Sequence, residues 1–302
     1  MYDIVIIGGG PAGLTAALYA RRAGKTAMII EESAFGGQIT WSPKVENFPT
    51  IQSISGVELA DRLVEQVMAL GVDLEVDRAV GVEDTDGKKV VRTAFGGEFE
   101  CKAVIIATGA KPRKLGLARE DELIGNGISF CAVCDGAFYK GKTAAIVGGG
   151  NAALQEALFL ADICSKVYLI HRRDNFRGEE HLAELLKGRA NVELVLNSQV
   201  SEYLGEDALM GVKVTDKAGA EREIALDGVF IAVGHVPDTE QFSEMLTLDG
   251  SGYVDSDESC KTKTAGIFVA GDCRKKGVRQ LTTAVADGTS AAIAACAYID
   301  EQ

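Results

Sequence analysis

Tyr2-Asp3-Ile4-Val5-Ile6-Ile7-Gly8-Gly9-Gly10-Pro11-Ala12-Gly13 opens the chain, and its reading governs all that follows. A short β-branched run leads straight into Gly-x-Gly-x-x-Gly, and an alanine-rich stretch comes next. Strand, glycine turn and helix are the parts of a dinucleotide fold: the glycines make the tight turn, admit a pyrophosphate to the backbone and let helix pack on strand. The next apolar run, Thr26-Ala27-Met28-Ile29-Ile30, ends at Glu31. A carboxylate at that spacing can accept hydrogen bonds from a ribose 2′-hydroxyl.

The unit recurs with an offset of 140 residues. Thr143-Ala144-Ala145-Ile146-Val147 leads into Gly148-Gly149-Gly150-Asn151-Ala152-Ala153, so Gly8, Gly10 and Gly13 answer to Gly148, Gly150 and Ala153. Glu31 answers to His171, which is followed by Arg172, Arg173 and, after Phe176, Arg177. A carboxylate there would repel a phosphate, whereas guanidinium groups bind one in bidentate fashion. The first unit is therefore expected to hold a nucleotide with a free ribose and the second to hold NADPH. Each unit closes on a related run, Val104-Ile105-Ile106-Ala107-Thr108-Gly109 and Val229-Phe230-Ile231-Ala232-Val233-Gly234, with Pro112 and Pro237 just beyond. Gly266-Ile267-Phe268-Val269-Ala270-Gly271-Asp272 is a further strand of buried type with no glycine loop of its own. The economical fold is α/β, with two Rossmann-like dinucleotide-binding domains, the second inserted into the first. Residues 1–112 and 242–302 would form one domain and residues 113–241 the other. Near-continuous apolar strands suit parallel sheets covered by helices on both faces.

Between the two loops lies Cys131-Ala132-Val133-Cys134-Asp135. The other five of the seven cysteines stand alone in sequence and read as small buried apolar residues. Zinc needs a second pair of ligands at suitable spacing, and His171, His181 and His235 form no such set, so no metal is expected. A redox dithiol is the remaining use: one thiol open to a partner disulfide, the neighbouring carboxyl handling protons. The formal charge of −13 argues against nucleic acid and anionic membranes as partners. The chain starts directly with a strand and holds no apolar run of membrane-spanning length, which sets the expectation of a cytoplasmic protein.

With these residues in view, the chain resembles the low-molecular-weight thioredoxin reductases over essentially its whole length. The resemblance rests on Gly8 to Gly13, Gly36-Gly37-Gln38, Glu46-Asn47-Phe48-Pro49, Ala107-Thr108-Gly109, the Cys131 to Gly136 run, His171-Arg172-Arg173 with Arg177, Gly234-His235, Gly271-Asp272 and Arg279-Gln280-Leu281. It implies a homodimer in which the discontinuous domain binds FAD, the insert binds NADPH, and thioredoxin is the substrate. Carried over, Gly8, Gly10, Gly13 and Glu31 would hold the FAD pyrophosphate and adenosine ribose. Gly37, Gln38, Asn47, Ala107 and Gly109 would approach the flavin end. Gly271, Asp272, Arg279, Gln280 and Leu281 would hold the ribityl and phosphate region. Gly148, Gly150, Asn151, Ala153, His171, Arg172, Arg173, Arg177 and His235 would serve NADPH. Cys134 would face the flavin, Cys131 would attack thioredoxin, and Asp135 would protonate a leaving thiolate. One departure is in the second loop, where Ala152 and Gln155 stand for a hydroxyl and a carboxylate usual in the family. Each missing neutral hydrogen bond is worth about 0.5 to 1.5 kcal/mol, too little to abolish binding. Two other readings share these residues: a flavin dithiol enzyme using a ferredoxin-like donor or a small dithiol, and a non-catalytic flavin redox sensor. The three arginines count against the first, and the CxxC with its acid against the second.

Overall fold

Along Tyr2–Ile7, Ile4 and Ile6 pack into one apolar cluster while Val5 and Ile7 pack into another. Side chains alternate across a strand, so a run buried on both faces must be apolar throughout. This strand is the middle of a sheet in a computed structural model that describes residues 1–302 apart from Pro43 and Asp86. The chain divides into two compact units, Met1–Lys111 with Val236–Gln302, and Pro112–His235.

In the first unit, Asp73–Val76, Ala27–Glu31, Tyr2–Ile7, Glu98–Ile106 and Ile267–Val269 pair in parallel in that order. Glu98–Ile106 is long enough to serve two neighbours. Its last residues pair with Ile267–Val269, and its first residues pair antiparallel with Lys88–Thr93, which forms a hairpin with Ala79–Thr85. One face is covered by helices Pro11–Arg22 and Leu281–Asp300. A Cβ on Gly288 would lie 2.2 Å from the carbonyl oxygen of Ala12, so glycine is what lets these two helices approach. The other face is covered by residues such as Val82, Val91, Phe242 and Leu246.

The second unit repeats the plan with five parallel strands in the order Val192–Leu196, Lys166–His171, Thr143–Val147, Gly228–Ile231, Ile128–Ser129. Helices Asn151–Ile163 and Glu180–Lys187 cover one face. An antiparallel sheet of Ser198–Leu204, Gly211–Asp216 and Glu221–Ala225 contributes to the opposite core. The unit ends at His235, earlier than residue 241 as expected from sequence. The reason is local: Thr239 Oγ1 donates to the Gly252 carbonyl at 2.7 Å, and Phe242 is buried beside Leu246, which draws the intervening residues into the first unit. The crossing segments Ala110–Pro112 and His235–Pro237 pair as a two-stranded ribbon.

Candidate active site

In the first unit the chain turns at Gly8, whose φ of +110° lies in the left-handed region that glycine tolerates. A Cβ on Gly8 would stand 2.3 Å from the Ala107 carbonyl oxygen, and one on Gly13 would stand 1.9 Å from the Gly8 carbonyl oxygen. Gly10 differs, because a Cβ there would meet nothing within 4 Å. Two glycines are thus held by packing and the third borders open space. Glu31 ends its strand nearly buried, accepting Gly9 N–H at 2.7 Å on one oxygen and Ser33 N–H at 3.0 Å on the other. A carboxylate accepts about four hydrogen bonds, so capacity for a ribose hydroxyl remains. Gly37 closes over the turn, its notional Cβ 3.3 Å from Gly10 Cα, and Gln38 Nε2 donates to the Ala110 carbonyl at 3.0 Å. Gly109 also has positive φ, +72°.

The Gly271–Asp272 turn is held from behind. Asp287, buried in the alanine-rich helix Leu281–Asp300, accepts Gly271 N–H at 3.0 Å, Arg274 Nε at 3.1 Å and Lys276 Nζ at 2.8 Å. Burial pushes the Asp272 carboxyl above the usual carboxylate range, and its Oδ1 has no hydrogen-bond partner. Thr108 Oγ1 is likewise buried without a partner. Arg279 Nε donates to the Asp272 carbonyl at 3.2 Å, and Asn47 Nδ2 to Gln280 Oε1 at 3.3 Å. Gln280 also caps the helix that Leu281 begins, with Thr283 as the reciprocal partner. Open space over Gly10 together with two buried polar atoms that lack a hydrogen bond is what a bound dinucleotide would fill and satisfy, and in that sense these residues fit FAD.

In the second unit a Cβ on Gly148 would stand 2.5 Å from the Ala232 carbonyl oxygen and 2.7 Å from Ala153 Cβ, while Gly150 again borders open space. His171 lies against Gly149, where a Cβ would meet its Cε1 at 2.2 Å. Its Nε2 is 3.2 Å from the Asn175 carbonyl oxygen, and its ring stacks on Phe176. Burial, followed by the charges of Arg173, Arg172 and Arg177, holds His171 below the usual histidine range, so it is neutral at neutral pH. The three guanidinium groups are exposed, and none is ion-paired among the described residues. Backbone bonds from Arg177 N and Gly178 N to the Gly149 carbonyl, at 2.7 and 3.1 Å, tie the arginine segment to the glycine loop. Unpaired guanidinium groups beside an open glycine turn fit a nucleotide phosphate. The Asn151 side chain exchanges hydrogen bonds with Glu179, donating to Oε1 at 3.0 Å and accepting the backbone N–H at 2.7 Å. His235 is half-buried at the start of its ribbon strand.

The cysteine pair follows the edge strand Ile128–Ser129. Cys131 and Cys134 are joined by a disulfide across a single helical turn, with Cα atoms 5.3 Å apart, and Cys134 N–H donates to Cys131 Sγ at 3.2 Å. Gly136 seats the turn on the helix Asn151–Ile163, since a Cβ there would meet Phe159 at 2.9 Å. Burial raises the Asp135 carboxyl, against the opposing hydrogen bond from Ser129, and Asp135 Oδ1 is buried without a partner. A carboxyl raised by burial keeps its proton to higher pH than an exposed one, which favours its use as a proton donor. Glu156, absent from the sequence-derived site, reaches from the helix to accept Ala132 N–H at 3.4 Å, and burial pushes it up to about 7. Ser129 was missed as well. The remaining five cysteines are all buried as free thiols. No helix is long and apolar enough to cross a membrane, and no cluster of side chains suits a metal, among the described residues.

Residues 2–288 match the pyridine nucleotide-disulphide oxidoreductase family. Thioredoxin reductase of Listeria monocytogenes is 41% identical over 303 residues, covering 100% of this chain and 95% of its own. That of Bacillus subtilis is 40% identical, covering 100% and 96%. The crystal structure of thioredoxin reductase from Streptococcus pyogenes matches with a TM-score of 0.94 at 39% identity, covering 100% of this chain and 99% of that one. Two glycine loops, an arginine segment and a vicinal cysteine pair agree with these likenesses, and the chain belongs to the low-molecular-weight thioredoxin reductases of the pyridine nucleotide-disulphide oxidoreductase family.

Proposed function

We propose that this chain reduces the disulfide of thioredoxin with electrons from NADPH, using FAD and the Cys131/Cys134 pair. The observation that carries the reading is the disulfide itself, held one turn from a buried carboxyl and on the same unit as an unpaired arginine segment. The first unit would hold FAD through Gly8, Gly10, Gly13, Glu31, Gly37, Thr108 and Asp272. The second would hold NADPH through Gly148, Gly150, Arg172, Arg173 and Arg177. FAD held there would supply the two-electron chemistry that links a hydride equivalent from NADPH to the disulfide.

Opening Cys131–Cys134 consumes two electrons and two protons. The Cys131 thiolate then attacks one sulfur of the substrate disulfide, forming a mixed disulfide and expelling a thiolate that Asp135 protonates. Cys134 next attacks Cys131 Sγ, closing the pair again and releasing the second substrate thiol. The roles of the two cysteines in this order, a homodimeric assembly and a cytoplasmic setting belong to the same proposal and are supported by the likeness to the relatives.

Cys131→Ser and Cys134→Ser separate the half-reactions. Each variant is expected to stay yellow and to be bleached by NADPH, while thioredoxin turnover falls at least about a thousandfold, as for loss of a nucleophile. Turnover near the unaltered rate in either variant would show that the pair is not the relay.

A further inference from the structure

Ser129 is buried, with 6% of its surface exposed, at the end of the edge strand that leads to Cys131. Its Oγ accepts Cys131 N–H at 3.1 Å and donates to Asp135 Oδ2 at 2.6 Å. A hydroxyl carries one proton. Among the described residues Asp135 Oδ2 is the acceptor that the structure gives it. An oxygen already receiving that proton is the poorer place for the acid's own. The other oxygen, Oδ1, is buried and has no partner.

We infer that Ser129 is a positioning residue that keeps the transferable proton of Asp135 on Oδ1 and ties that carboxyl to the backbone of Cys131. The inference rests on the disulfide-reductase reading above. In the step concerned, the Oδ1–H bond breaks and a sulfur–hydrogen bond forms on the thiolate leaving the substrate. Asp135 is left ionised, with Ser129 Oγ–H donating to Oδ2. The proton is restored when a thiol of the Cys131/Cys134 pair ionises for its own attack, so the exchange with the substrate disulfide is proton-neutral. Through its acceptor role Ser129 also fixes the peptide of the attacking cysteine, so acid and nucleophile share one anchor.

Other titratable groups on the elements packed here are Tyr139 on the following turn, whose hydroxyl feels the Asp135 charge, and Glu156 on the helix Asn151–Ile163, which accepts Ala132 N–H. Both remain unchanged when Ser129 is replaced, so a displacement of the pH profile reports on Ser129.

The test compares the unaltered holoenzyme with Ser129→Ala, Ser129→Thr and Asp135→Asn, measuring kcat/KM for thioredoxin against pH and, separately, the rate at which NADPH bleaches the flavin. Bleaching needs no acid at the thiols and is expected to be the same in all four, which also verifies folding. Asp135→Asn should lose most thioredoxin turnover. Ser129→Ala should lose on the order of tenfold, the scale of one hydrogen bond. Its alkaline limb should move to higher pH, because a carboxylate deprived of a donor is harder to ionise. Ser129→Thr, which keeps the hydroxyl, should follow the unaltered profile. A Ser129→Ala limb that stays in place overturns the inference, and so does a Ser129→Thr limb displaced as far as that of Ser129→Ala. If the unaltered protein bleaches with NADPH yet leaves thioredoxin oxidised, the functional reading itself fails and the inference falls with it.

Discussion

In the first glycine loop the acid Glu31 closes onto Gly9 N–H at 2.7 Å; in the second, His171 occupies the same register and leans so near Gly149 that a Cβ there would meet its ring at 2.2 Å. The backbone frames match, with a strand, a glycine turn and a helix in each, yet the residue closing each loop inverts the local charge. Glu31 places a carboxylate beside the turn, whereas His171 is held neutral and hands the region to three exposed arginines. One backbone plan thus serves two nucleotides, and the choice between them rests on side chains at the end of the next strand. The helices differ too. Where the first has Ala16, wholly buried, the second has Glu156 in the same register, reaching under the cysteine turn.

The sharpest way to break the comparison is at its glycines. Gly13→Ala would drive a methyl to 1.9 Å from a backbone oxygen, which cannot yield as a flexible side chain does. The variant is expected to lose its flavin, read as the absorbance remaining after gel filtration. Ala153→Gly, at the answering position, removes a methyl and should cost about 0.5 to 1 kcal/mol of stability with NADPH-dependent bleaching intact. A yellow Gly13→Ala protein would show that the first loop is not packed as described.

Replacing Arg172, Arg173 and Arg177 together by Ala tests the charge inversion. Each charge-assisted contact contributes about 1.5 to 3 kcal/mol, so the ratio of kcat/KM for NADPH over NADH should fall at least about a hundredfold. Equal use of both nucleotides by the unaltered protein would remove the distinction between the loops.

The smallest effect concerns Glu156. Its acid group ordinarily titrates at 4.5 and is pushed up to about 7 in the folded chain, so the folded state holds its proton more tightly than the unfolded one. That preference stabilises the fold at low pH and fades as pH rises from 4.5 through about 7, leaving a constant penalty above. Glu156→Gln is expected to raise the melting temperature by about 2 to 4 °C at pH 8 and to change it little at pH 5. A Tm gain equal at both pH values would mean that the carboxyl is not held protonated by burial.

The elements whose meaning lies in a local pattern were legible in the sequence. Both glycine loops, the strands feeding them and the vicinal cysteines each occupy a few consecutive residues with a strict physical requirement, and the repeat at a fixed offset made them mutually consistent. What escaped was non-local or masked by a second use. Ser129 looks like any serine near a turn until Asp135 and the Cys131 peptide converge on it. Glu156 reads as the polar face of a helix, although it reaches a backbone amide 24 residues away. The pairing of Asn151 with Glu179, 28 residues on, is likewise not disclosed by local spacing. Asp287 carried a usable signal: it is the sole charged residue among the first 19 positions of a 20-residue, alanine-rich helix, and a charge so placed must meet a partner. The domain boundary at His235 depended on Phe242 finding a core that sequence spacing does not disclose.

The five solitary cysteines give the molecule a form of insulation. Burial lifts Cys101 and Cys260 to about 12 and Cys164 and Cys273 to about 11, and raises Cys296 as well. At neutral pH a thiol near 11 is ionised in only about one molecule in ten thousand, and the thiolate is the form that exchanges. Reducing equivalents parked on the vicinal pair therefore have no competing sulfur through which to leak, and an oxidised partner arriving at the surface meets only one circuit.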